Sequence, residues 1–190
     1  MMADDVLGTH EHHLVYGTLF DYLTGEELTD TDDERIRQGI SKRMVEELGY
    51  SRHELIPRLT IETLFTRNFV TSVIDLTVML ANRYCMIVRY GPGSLVSRER
   101  AACAAARVLT PHYRIPLAVV TNGTDEMLID TTTGKVMQEG GLVIPAHNDL
   151  LQMVPRLSFL PPQDKKRQER EKRVLNTFDL DRCCLGTWHI

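Results

Sequence analysis

The stretch SVIDLTVMLANRYCMIVRYGPGSL, residues 72–95, carries the most structural information in this chain. Residues 73–80 and 84–90 are two β-rich runs separated by Ala81-Asn82-Arg83, a loop of hairpin size. Gly91-Pro92-Gly93 then breaks the chain, and Ser94 or Ser97 can cap a helix reaching to about residue 109. That helix is alanine-rich from Ala101 to Ala106, so it can pack closely on a sheet. Upstream, Ile36, Ile40, Met44, Val45 and Leu48 recur at helical spacing and predict a helix over residues 32–48. Thr31 and Glu34 fit a capping box at its start, and Gly49 ends it. Residues 58–62 are a short strand candidate between the helix and the hairpin. Downstream, residues 115–121 predict a strand, Asn122-Gly123 a turn, and residues 126–130 a further strand. A tight turn over residues 131–135 follows, with Gly134 in the left-handed position. The order helix, strands, helix, strands predicts an α/β fold, a mixed sheet flanked by helices.

The chain has 190 residues, 43% of them hydrophobic and 25% charged, which suits one well-buried domain. We divide it into an N-terminal arm (1–30), a core (31–145) and a C-terminal helical extension (146–190). A net charge of -4 excludes a protein basic throughout, so contact with nucleic acid requires a local patch. No run approaches the roughly 18 apolar residues of a membrane helix, and no membrane partner is expected. Residues 1–13 are acidic and His-containing, unlike a signal peptide. Cys85, Cys103, Cys183 and Cys184 include no CxxC pair and read as reduced thiols of a cytoplasmic protein. Pro161-Pro162 opens a charged helix expected over residues 163–178, bearing Lys165, Lys166, Arg167, Arg170, Lys172 and Arg173. Its obvious apolar anchors are Val174, Leu175 and Phe178, so we expect it at the surface or against a partner.

Helix, strand, turn, strand, helix is also the arrangement in which a metal-dependent nuclease site is built. Such a site takes an acid from one strand, then an acid and a lysine two residues apart on the next. The acids hold Mg²⁺, while the metal and lysine activate water and offset charge on the phosphate. The spacing of two is needed because alternate side chains of a strand share a face. Asp75, between Ile74 and Leu76, is the natural first acid. A charge inside an apolar strand is costly unless it is paired or metal-bound.

Several motifs together give the chain a family likeness: DERIRQ (33–38), LGY (48–50), VIDLTV (73–78), IVRYGPG (87–93), AVVTNG (118–123) and DTTTGK (130–135). In these the chain resembles the N-terminal domain of the type I restriction enzyme R subunit, a branch of the PD-(D/E)XK nuclease superfamily. It is more closely similar to small stand-alone bacterial proteins with that domain, which share the YGPGSL and VVTNG stretches. The resemblance runs over residues 14–145. It implies a restriction-endonuclease-like fold, DNA as ligand, and restriction or repair partners. It also places Glu34 at the family's helical acid and Asp75 at its strand acid, with Asp75 the candidate Mg²⁺ ligand. The family's E-x-K falls on Val88, Arg89 and Tyr90. Valine cannot ligate a metal, and tyrosine cannot serve as an ammonium. Arg89 has the charge, but strand alternation turns it to the other face unless a bulge intervenes. A guanidinium also stays protonated and cannot act as a base. The expectation is therefore a catalytically degenerate site of Asp75, Glu34 and Arg89.

Other residues carry paired readings. Glu34 is also explained by the capping box. Glu62, Glu99 or a partner chain could supply a migrated acid, which would leave an active Mg²⁺-dependent endonuclease. The Gly91–Ser94 loop could offer N–H groups to a phosphate, but it lacks GxxxxGK[ST] and reads better as a turn with a cap. Arg98, Arg100 and Arg107 could track a nucleic-acid backbone or form a solvated helix face. His10, His12 and His13 could bind a metal but read better as a flexible polar tail, and Cys183, Cys184 and His189 could form a metal corner but lack a second pair at zinc spacing. Leu185, Trp188 and Ile190 are candidates to dock on the domain or on a second copy in a homo-oligomer. A non-enzymatic protein-interaction module is the remaining alternative.

Overall fold

The computed structural model describes residues 14–65, 68–96 and 98–183. The three N-terminal histidines, Ser97, Cys184, Leu185, Trp188, His189 and Ile190 lie outside the described residues, so the expectations placed on them go no further. The chain begins with a two-stranded hairpin, β1 (Val15–Phe20) and β2 (Glu27–Thr31), and continues into α1 (Asp32–Glu46). Next come β3 (Leu55–Phe65), β4 (Asn68–Leu80) and β5 (Arg83–Tyr90). They are followed by α2 (Arg98–Val108), β6 (Leu117–Thr121), β7 (Glu126–Asp130) and β8 (Lys135–Glu139). Helices α3 (His147–Met153) and α4 (Lys165–Cys183) complete the described chain. Strands β3 to β8 form one six-stranded sheet in sequence order. Only β5 and β6 run parallel, joined through α2, and every other neighbouring pair is antiparallel. The α/β class, the mixed sheet between helices and the C-terminal helix are all as expected.

Both faces of the sheet are covered. Met86, Val88 and Tyr90 of β5 face Ile40 and Met44 of α1 and Leu150 of α3 in one core. Ile87, Ala118 and Val120 face the alanines of α2 and Leu175 of α4 in the other. Helix α1 starts at its expected cap, with the Thr31 hydroxyl accepting from the Glu34 N–H at 3.1 Å, but the expected capping box is only half formed, because the Glu34 carboxylate turns to Gln38 and Arg37. Gly49, at φ 78°, turns the chain out of it. The β4–β5 turn is tighter than expected. Leu80 pairs with Arg83, which leaves Ala81 and Asn82 as a two-residue loop with φ of 47° and 59°. Two positive φ values match the right-handed twist of the flanking strands. Strand β3 is longer than its sequence signal, which is interrupted by Pro57 and by Arg58 at φ 54°. Both features lie in an edge strand, where a missing donor and a local kink are tolerated.

Strand β8 and the β1–β2 hairpin had no counterpart among the expected elements. The expectation for the charged helix also needs amending. Leu175 and Asn176 of α4 are buried, and Asn176 hydrogen-bonds Thr63 of β3, so α4 closes the second layer rather than lying loosely on the surface. No helix among the described residues is long and apolar enough to cross a membrane.

Candidate functional site

Asp75 lies one residue outside the last β4–β5 pair, Leu76 with Val88, opposite the kink at Arg58. Leu59 pairs with Ile74 and Pro57 with Leu76, on either side of it. In an unbroken strand, residues 74 and 76 would share a face. Here Ile74 packs in the α2 layer and Leu76 in the α1 layer, so the strand switches faces at Asp75. The carboxylate is 7% exposed and both of its oxygens have donors. Oδ1 accepts from Arg37 Nε of α1 at 2.6 Å. Oδ2 accepts from the Tyr90 N–H at 2.7 Å. The cost of burying the charge is thus offset by an arginine and a backbone donor.

The positions expected for the second acid and the lysine are filled by core side chains. Val88 is fully buried and pairs with Leu76 across the sheet. Tyr90 is also buried, its hydroxyl donating to Asp33 Oδ1 of α1 at 2.9 Å. The Arg37 guanidinium sits 5.3 Å from the centre of the Tyr90 ring, within cation–π range. Arg89 is 6% exposed and pairs with Val120, whose side chain lies in the α2 layer. The structure therefore places Arg89 on the face opposite Val88 and Tyr90, away from Asp75.

Helix α1 supplies the rest of the network. The Glu34 carboxylate accepts from Gln38 Nε2 at 2.7 Å and from Arg37 Nη1 at 3.4 Å. Gln38 Nε2 also reaches Asp21 Oδ2 at 3.0 Å, in the turn of the N-terminal hairpin. Arg58 Nη1 donates to the same oxygen at 2.5 Å, and Arg58 Nη2 to Glu26 at 2.6 Å. A continuous chain of charged and polar groups therefore joins hairpin, helix and sheet around Asp75. Burial alone would lower the Arg37 pKa, but the charge and hydrogen bond of Asp75, with Glu34 and Asp33 behind it, hold it above its usual value. Such a group orients and neutralises; it has no proton to exchange near neutral pH.

Asp21 gives a pH prediction. Burial pushes its carboxyl up, yet hydrogen bonds from Arg58, Gln38 and the Thr24 backbone together bring it from 3.8 down to about 2. A depressed native pKa contributes stability that is fully present above 3.8 and is lost as pH falls through about 2. The contribution is about 2 kcal/mol. Asp21→Asn should flatten the stability profile in that window, followed by urea unfolding. A profile identical to that of the unchanged protein would reject the role.

Neither Glu62 nor Glu99 reaches Asp75. Glu62 is exposed on β3, four residues beyond Arg58 and so about 13 Å further along the strand. Glu99 belongs to α2, on the opposite face of the sheet, with Oε2 buried and lacking a hydrogen-bond partner. Among the described residues, no three His, Cys, Asp or Glu side chains are grouped as ligands for a metal. With Arg37 on Asp75 Oδ1 and a buried valine at the position of the family's second acid, the side chains here do not fit the two-acid Mg²⁺ site that the E-x-K pattern would build.

The expected nucleic-acid arginines diverge. Arg107 is built into the interior, donating to the Thr131 carbonyl and to Glu171 of α4, each at 2.8 Å. Arg98 ties down the loop before α2, donating to the carbonyls of Pro92 at 2.7 Å and Ser94 at 3.1 Å. That loop is a turn, with Asn122 Nδ2 donating to the Gly93 carbonyl at 3.0 Å. Arg100 alone of the three is exposed.

Sequence reasoning missed two buried charges, Asp21 in the hairpin turn and Glu126. Glu126 is 1% exposed, accepts from the N–H groups of Val143 (2.6 Å) and Ile144 (2.8 Å), and pairs with Arg43 of α1. It pins β7 to helix and loop, a structural task. An acid opening an otherwise apolar strand was its only signal. No curated protein and no solved structure matches the chain. The family described as the type I restriction enzyme R protein N terminus matches residues 32–145, from the first residue of α1 to the loop before α3 and including Glu34, Arg37, Asp75 and Tyr90, and the chain belongs to that family.

Proposed function

We propose that this chain is a nuclease-fold module that engages nucleic acid, beside restriction or repair partners, without cutting it by the metal route. The observation that carries this reading is the Arg37–Asp75–Tyr90 arrangement. A guanidinium lies against the one carboxylate that would hold the metal, and the two positions that would complete the site are a buried valine and a buried phenol. Electrostatics decides between ion pair and metal here. A divalent cation at Asp75 would have to sit beside the Arg37 guanidinium that already occupies Oδ1, and like charges at that separation repel strongly in a low-dielectric site.

Manganese binding tests the reading. Titration calorimetry is expected to show no stoichiometric Mn²⁺ site, with identical traces for the unchanged protein and for Asp75→Asn. One tightly bound ion, lost in Asp75→Asn, would overturn it.

A further inference from the structure

The charges of this chain are unevenly distributed. Residues 1–64 hold 14 acidic and 6 basic side chains. Several of the acids, among them Asp30, Asp32, Asp33 and Glu34, crowd the start of α1 beside Asp75. A phosphate backbone approaching Asp75 would meet that acidic rim. Helix α4, on the other layer, is the reverse. Its inward stripe runs through the partly buried Gln168, Glu171 and Lys172 and the buried Leu175, at helical spacing. The opposite crest carries Lys166, Arg170 and Arg173, all exposed, at spacings of four and three that align them on one face. Arg167 pairs with Asp164, and Lys172 with Glu169. Among the described residues, no carboxylate pairs with Lys166, Arg170 or Arg173.

We infer that the α4 crest is a docking surface for the sugar-phosphate backbone of duplex nucleic acid, on the layer away from Asp75. This rests on the reading of a nucleic-acid-engaging module and adds where, and through which groups, contact is made. The composition of the crest selects the partner. A helix that docks on a protein groove presents apolar anchors at i, i+3, i+4 and i+7, and one that lies on a membrane presents an apolar face. The exposed face of α4 over residues 165–177 has no large apolar side chain. Its cations are spread over about 10 Å at 1.5 Å per residue, a reach suited to successive phosphates of one strand. Arg100, exposed on α2, the helix that α4 packs against, extends the same layer.

The test compares two triple variants of the full chain by fluorescence anisotropy with a short labelled duplex. One is Lys166→Glu with Arg170→Glu and Arg173→Glu. The other, Lys42→Glu with Arg52→Glu and Lys135→Glu, makes the same change in net charge at exposed sites elsewhere. For the unchanged protein, three phosphate contacts predict a slope near -3 for log affinity against log salt, about a 40-fold loss between about 50 and 200 mM. The α4 variant should lose that slope and most of its affinity, while the control retains both. Circular dichroism verifies that both variants are folded. Equal losses in the two variants, or none in the α4 variant, would overturn the α4 site while leaving binding itself in place. An unchanged protein that ignores the duplex but binds polyglutamate would overturn both the site and the nucleic-acid reading, in favour of an acidic protein partner.

Discussion

Glu126→Ala is expected to destabilise the protein by about 4 kcal/mol, the larger of two substantial effects. The carboxylate is almost fully buried and serves three donors: Arg43 and the N–H groups of Val143 and Ile144. Removing it leaves a guanidinium and two amides without an acceptor in a site that water reaches poorly. Removing one partner of a buried pair costs more than the pair contributes. Arg43 has no easy escape, because its side chain is only 14% exposed. Guanidinium chloride unfolding would measure the loss. A change under about 1 kcal/mol would mean that the loop over residues 143–144 holds itself without the acid.

The second prediction concerns Asp75→Ala, which should cost about 3 kcal/mol. It deprives the Tyr90 N–H of its acceptor and Arg37 of its closer carboxylate. Arg37 is 27% exposed and keeps a contact with Glu34, so it can turn partly to solvent, and this places the loss below that at Glu126. Arg37→Met combined with Asp75→Leu should recover much of the deficit, since replacing both members of a buried pair is far cheaper than removing one. A metal-binding carboxylate would behave in the opposite way. Its removal relieves repulsion between acids and commonly stabilises the apoprotein. A rise in stability on Asp75→Ala would therefore count heavily against the ion-pair account.

The parts of the fold legible in the sequence were those whose burial is periodic and local. Helix α1 announced itself through Thr31, its apolar stripe and Gly49, and β4 and β5 through consecutive β-branched runs. The β1–β2 hairpin was hidden because Val15, Tyr16 and Phe20 remain exposed, so no inside–outside alternation marks the strand. Strand β8 was hidden for the same reason, being exposed along its length. At the site, the sequence identified Asp75 as a charge in need of a partner and put Val88 and Tyr90, which carry neither a carboxylate nor an ammonium, where the family resemblance expects an acid and a lysine. It did not identify Arg37, 38 residues away, as the partner. Arg37 occurs in an ordinary-looking helix turn among several charges, and only the packing of α1 on β4 selects it. Nor could it reveal that Arg58, at positive φ, faces Asp75 where β4 changes sides. The arginines of α2 were a partial guide. Their spacing suggested one functional face, but Arg107 is committed to Thr131 and Glu171, and the exposed cations concentrate on α4.

The most direct measurement is a cleavage assay of the purified protein on plasmid and single-stranded DNA with Mg²⁺ or Mn²⁺. With Arg37 seated on Asp75 and a valine in place of the second acid, both substrates should remain intact at every metal concentration. Nicking or degradation that requires the metal and disappears in Asp75→Asn would contradict the account.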